Sequence, residues 1–189
     1  MKKEISFTES HAATNYWGME YFFAATQLTP DVFRGKRILN VGAGQIDMKE
    51  ALAQRGINNC EVVSFDLAYD TTRKPWWRKH PKIIREMIPE NAVSGDFKRL
   101  PFVDNSFDIA IASWSIIPYI GWYEQRSKRS IEAIKDMMRI SNNSYLLPCN
   151  EWNFNNVYRN AFPGYKAEHL QPIASSLRMP GALYVSRIG

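Results

Sequence analysis

The sequence predicts an α/β fold: a doubly wound, mostly parallel seven-stranded sheet with an antiparallel hairpin at its C-terminal end. Three observations predict it. A strand, a glycine turn and a helix follow one another without interruption from Lys36 to Gly56. Further short apolar runs, each bounded by turn residues, recur at Glu61 to Phe65, Ala92 to Ser94, Phe107 to Ala112 and Asn143 to Leu147. Two last strand-like runs, Tyr165 to Ala174 and Ala182 to Ile188, flank the turn at Pro180-Gly181.

The N-terminal stretch comes first. Trp17, Tyr21, Ala25 and Leu28 recur at helical spacing and Pro30 ends the pattern. Residues 1–33 are therefore expected to form a helical segment that packs one face on the sheet or lies over the site as a lid. In the second case Tyr16 and His11 are the residues that reach a ligand.

The central stretch is KRILNVGAG, Lys36 to Gly44. Ile38, Leu39 and Val41 are the apolar run of a strand buried on both faces. Gly42 and Gly44, with Ala43 between them, allow a tight turn and close approach of a ligand to the backbone. Asp47 is a good N-cap, Glu50 stands three residues later as a capping box requires, and Gly56 stops the helix. A dinucleotide site needs a third glycine and a phosphate at the helix N-terminus. Here Ile46 occupies the glycine position and Asp47 would repel the phosphate, while tolerating a ligand with a positive charge.

The next strand ends at Asp66, where open α/β sheets hold their ligands. A carboxylate there can accept from both hydroxyls of a ribose. It follows Gly42 at about the 20-residue spacing seen in such pairs. Residues 70–91 then form a basic, aromatic insert: Arg73, Lys74, Arg78, Lys79, Lys82 and Arg85 are interleaved with Trp76, Trp77 and His80. It reads either as a solvated connection whose tryptophans pack on the core or as a surface for a negatively charged or aromatic partner.

The segment Ala92 to Ser115, AVSGDFKRLPFVDNSFDIAIASWS, contains a third strand, a turn-rich loop and a fourth strand. A loop rich in aromatics follows, with Tyr119, Trp122 and Tyr123, and then a helix from Ser127 to Ile140. A fifth strand, a helix from Trp152 to Ala161 and the closing hairpin complete the chain.

These residues resemble the class I S-adenosylmethionine-dependent methyltransferases, in particular those of the ubiquinone-biosynthesis type. Asn40 to Ile46 is similar to their acidic-x-G-x-G-x-G motif, with Asn40 for the acidic residue and Ile46 for the last glycine. LPF-x-DNSFD, Leu100 to Asp108, matches their pattern at every defined position. The resemblance implies a Rossmann-like methyltransferase fold and S-adenosylmethionine as cofactor. It implies that Gly42, Ala43, Gly44, Asp66 and Leu67 cradle that cofactor. By the same resemblance Asp96 and Phe97 lie at the adenine, and Ser113 and Trp114 stand where the methyl group is presented. Tyr16, Trp114, Tyr119 and Trp122 are the expected walls of an acceptor pocket.

Composition bounds the alternatives. The chain has 189 residues, 45% hydrophobic and 23% charged, enough for one domain with a core over 1–189. Cys60 and Cys149 match no metal spacing and suggest a reducing, cytoplasmic compartment; no metal site is expected. MKKEISFTES lacks the apolar core of a signal peptide, and no apolar run approaches membrane-spanning length. A net charge of +5 permits an acidic partner without requiring one.

The leading expectation is methyl transfer to a small-molecule acceptor. A non-catalytic binding or scaffold protein on the same fold is the alternative that Asn40 and Ile46 motivate. A nucleic-acid acceptor is the alternative that the insert motivates. A nicotinamide-dependent oxidoreductase is disfavoured by Asp47. His11 and His169 are the candidates for a general base, and the oligomeric state is open.

Overall fold

A computed structural model describes residues 19–44, 47–66, 88–117, 124–172 and 181–188, the side chains of 124–127 excepted. Its centre is a seven-stranded sheet in the order β3-β2-β1-β4-β5-β7-β6. The strands are β1 Arg37–Val41, β2 Glu61–Asp66, β3 Ala92–Ser94, β4 Phe107–Ser113, β5 Ser141–Cys149, β6 Tyr165–Leu170 and β7 Gly181–Arg187. β1 to β5 run parallel; β7 is antiparallel to both β5 and β6. The expected closing hairpin is therefore present, with β7 inserted between β5 and β6.

Helices lie on both faces, as double winding requires. Residues 19–26 form helix α1, Met48–Ala53 form α2 and Glu124–Ile140 form α3. α1 and α2 share a core with Ile38, Val62, Ile109 and Ile111. The opposite face packs Leu39, Val41, Ala110 and Ala112 against Ala133, Ile134, Met137 and Met138 of α3. Alternate residues of β4 thus enter different cores, which is why the strand reads as one unbroken apolar run. Tyr21 and Ala25 are buried on α1 as its spacing predicts.

Several boundaries differ from the sequence expectation. α1 ends at residue 26, and Pro30 opens a 3-10 turn, Pro30–Phe33, instead of closing the helix. A proline is tolerated in such a first turn because its missing N–H has no partner there. β5 starts at Ser141, directly after α3, and the buried Ser141 hydroxyl donates to Met137 O at 2.8 Å, satisfying one of the last carbonyls of the helix. The helix expected over 152–161 is one turn, Glu151–Asn153, that widens into π geometry over Phe154–Tyr158. The N-terminal lid before residue 19, with His11, Tyr16 and Trp17, lies outside the described residues. So do Gln45, Ile46, Leu67, residues 70–87 of the insert, and Tyr119, Trp122 and Tyr123.

The LPFVDNSFD stretch turns out to be a structural clamp. Arg139 on α3 donates to Phe102 O at 2.8 Å, to Leu100 O at 3.0 Å and to Asp104 Oδ1 at 2.7 Å. Its Nε donates to Asp136 Oδ1 at 2.7 Å, and the second oxygen of Asp136 accepts the Leu100 N–H. Asn105, at φ +57, makes the turn and donates its N–H to Arg139 O. Asp108 accepts the Arg37 N–H at 2.8 Å and so joins the starts of β4 and β1. The carboxylates raise the affinity of Arg139 for its proton, so the clamp is permanently charged. These contacts lie at the amino ends of the parallel strands, the edge opposite the one where such sheets bind ligands.

Candidate functional site

At the carboxyl edge the glycine turn is built by its neighbours. The Gly42 and Ala43 N–H groups both donate to Phe65 O, at 2.7 and 3.2 Å, so the end of β2 holds the end of β1. Gly42 has φ +67, and a Cβ there would lie 2.2 Å from Ser115 Cβ. Both the backbone and the space demand glycine. Gly44, at φ +55, has nothing within 4 Å of an added Cβ. Its N–H donates to Asp66 Oδ2 at 2.8 Å. Ala43 between them is 2% exposed. The expected cap is also present: Asp47 accepts the Glu50 N–H at 3.0 Å.

β3 lies beside β2, and its exit carries Asp96 and Phe97. Gly95 permits the approach, since a Cβ there would meet the Phe65 ring at 2.6 Å. Asp96 accepts the Lys98 N–H at 3.0 Å and has the Lys98 ammonium at 3.7 Å. Phe97 packs against the α3-side core.

The exit of β4 is the most constrained backbone in the site. Ser113 pairs with Leu147 of β5, and its buried hydroxyl oxygen has no hydrogen-bond partner among the described residues. Trp114 follows in the left-handed region at φ +54, a conformation costing of order 1–3 kcal/mol for a bulky side chain. Its N–H donates to Leu147 O at 2.7 Å. The residue is 48% exposed, and its ring tilts against Tyr21 of α1, with centroids 5.8 Å apart. Burial pushes the Tyr21 hydroxyl up to about 12.

Of the residues singled out in the sequence, the structure gathers Gly42, Ala43, Gly44, Asp66, Ser113 and Trp114 on the carboxyl ends of β1, β2 and β4, with Asp96 and Phe97 beyond β3. Asn40 is buried within β1. His169 stands apart. Its Nε2–H donates to Cys149 O at 2.8 Å and its ring stacks on Phe154, so it ties β6 to β5 across β7. Tyr21 and Ser115 were missed. Tyr21 reads as an ordinary core-facing aromatic, and no local pattern marks Ser115.

The arrangement fits an adenosyl sulfonium cofactor. Gly44 with open space beside its Cα, the Asp66 carboxylate and the Ser113 hydroxyl, which has no partner among the described residues, stand together at this edge. Among the described residues no group of three or more His, Cys, Asp or Glu could hold a metal, and no helix is long and apolar enough to cross a membrane.

Comparison with known proteins agrees with this geometry. Residues 39–139 match the family model described as a methyltransferase domain. No curated protein sequence matches the chain. Among solved structures, a TehB-like SAM-dependent methyltransferase from Corynebacterium glutamicum is 17% identical with a TM-score of 0.54, covering 96% of this chain and 94% of that one. Magnesium protoporphyrin IX methyltransferase from Synechocystis, solved with bound SAM, is 12% identical with a TM-score of 0.57, covering 100% and 87%. A putative methyltransferase from Haloferax volcanii, in complex with the Trm112 activator, is 13% identical with a TM-score of 0.54, covering 97% and 94%. These three share the fold. The family match spans more than half of the chain and takes in the glycine turn, Asp66 and the exit of β4: the chain belongs to the S-adenosylmethionine-dependent methyltransferases.

Proposed function

We propose that this enzyme methylates a nucleophile on a small-molecule acceptor. The observation that carries the proposal is Trp114: a large aromatic residue, 48% exposed, in a strained backbone conformation at the mouth of β4. Strain of this kind persists where the surroundings impose it, and it concentrates at sites that grip ligands. An aromatic wall suits a flat or partly apolar acceptor that must be desolvated and aligned.

When bound, S-adenosylmethionine supplies a methyl group activated by its sulfonium. In this reading Gly42, Ala43 and Gly44 let the backbone approach the cofactor. Asp66, with Leu67 beside it, accepts from the ribose hydroxyls. Asp96 and Phe97 receive the adenine, and Ser113 donates to a cofactor polar group. Tyr16, Trp114, Tyr119 and Trp122 line the acceptor side and exclude water. His169 has a structural bond that accounts for its position, and His11, the other candidate base, lies outside the described residues; in this reading the chain contributes alignment and desolvation. Two free cysteines support a reducing, cytoplasmic setting.

The test is incubation with methyl-labelled S-adenosylmethionine and a panel of phenols, thiols and amines, alongside RNA and DNA. Label on a small molecule supports the proposal. Label on nucleic acid alone, lost when Arg78, Lys79 and Lys82 are neutralised, supports the second reading, for which the basic 73–85 stretch is the specific motive. Tight cofactor binding with no transfer to any class would favour a scaffold role.

A further inference from the structure

Ser115 links the two halves of the site. It is 5% exposed, and its hydroxyl donates to Val41 O at 2.9 Å, so the residue after Trp114 is tied to the last residue of β1. Its Cβ fills the space that a Gly42 side chain would need, the two positions being 2.2 Å apart. On its other side Trp114 is held by its own N–H on Leu147 O, at 2.7 Å. Trp114 therefore sits between two fixed points, one on β1 and one on β5, and together they impose φ +54 on it.

We infer that Ser115 is a positioning residue: its hydroxyl registers the Trp114 ring on the acceptor side against the Gly42–Gly44 turn on the cofactor side. The inference rests on the methyltransferase reading for the meaning of those two sides, but the mechanical link does not depend on it. Ser115 is 5% exposed and its hydroxyl is engaged by Val41 O. It acts through the peptide on either side of it: Val41 and Gly42 at one end, Trp114 at the other. Without the bond Trp114 can relax from the left-handed region, its ring leaves Tyr21, and movement of the glycine turn no longer reaches it.

The test compares wild type with Ser115→Ala, each with and without a second change, Trp114→Phe. Subtracting the Trp114→Phe background isolates the emission of Trp114 from the other tryptophans. The probe is S-adenosylhomocysteine. We expect Ser115→Ala to increase acrylamide quenching of Trp114 at least twofold. We also expect it to halve, or more, the change in Trp114 emission on adding S-adenosylhomocysteine, and to weaken that ligand's affinity two- to tenfold. A merely structural serine would lower the melting temperature and leave the isolated Trp114 signal as in wild type; that result overturns the inference. If Ser115→Ala does not fold, Ser115→Cys preserves the volume with a weaker donor and must show the same changes in smaller measure, or the inference fails. Absence of S-adenosylhomocysteine binding in wild type would refute the assignment of the site, and the quenching comparison would still decide the link.

Discussion

The Asp66 carboxylate accepts the backbone N–H of Gly44 at 2.8 Å. The residue expected to hold the ribose therefore also shapes the turn proposed to receive the cofactor. Asp66→Ala should weaken S-adenosylmethionine binding about tenfold or more and lower stability by about 1 kcal/mol through the lost turn contact. Asp66→Asn keeps an acceptor for Gly44 and should recover the stability but not all of the affinity. Calorimetric titration beside thermal melts separates the two effects. Equal affinity of a folded Asp66→Ala protein and wild type would refute the assignment.

The two glycines of the turn should respond in opposite ways. Gly42→Ala drives a Cβ to 2.2 Å from Ser115 and should destabilise the protein by about 3 kcal/mol or more. Gly44→Ala meets open space, so its stability cost should be limited to about 1 kcal/mol of backbone strain, while cofactor affinity falls sharply. Chemical denaturation and ligand titration of both variants check this. A Gly44 variant with unimpaired binding would mean that the open backbone is not the cradle.

Arg139 should matter for folding and little for the cofactor. Its guanidinium serves four acceptors: Leu100 O, Phe102 O, Asp104 and Asp136. Arg139→Met should cost about 2 kcal/mol, tempered by the partial exposure of the group. Arg139→Lys should recover little of this, because an ammonium lacks the planar fork. Melting temperatures should fall in both variants while S-adenosylhomocysteine affinity stays within about threefold. A large loss of affinity in a well-folded Arg139→Met protein would place the clamp closer to the site than its position implies.

Alkaline pH should destabilise the protein through groups that its core keeps neutral. Burial pushes the Cys149 thiol up to about 12 from 9.0, and Tyr158 and Tyr145 up to about 12 from 10.0. Each folded value lies above the unfolded one. The stability these groups contribute is therefore complete below pH 9 and is lost as pH rises from 9 to 12. Melting temperature should be flat on this account up to pH 9 and fall above it. At pH ~8 a thiol reagent should label the partly exposed Cys60 and spare Cys149 until denaturant is added. Labelling of both thiols at equal rates in the native state would contradict the packing of β5.

The local elements were legible in the sequence because their causes are local. The β1 strand, the Asp47–Glu50 cap and the Ala92–Ser94 strand follow from apolar runs and capping chemistry within a few residues. The position of Asp66 at the end of β2 follows from the same patterning. Family membership was legible too, through LPF-x-DNSFD. That motif marks the Arg139 clamp at the amino edge of the parallel strands, opposite the edge where such sheets bind ligands, so it identified the fold more directly than the proposed site.

Only the tertiary structure decided which residues meet. Ser115 faces Gly42, Tyr21 faces Trp114, and Arg139 gathers the 100–105 loop, each pair far apart along the chain. Such contacts are set by strand order and register, and no periodicity within a short window records them. Trp114 is the clearest case. As a residue type it gives no sign of a left-handed conformation; that geometry exists because β1 and β5 hold the peptide on both sides of it, and those strands are adjacent to β4 only in the assembled sheet.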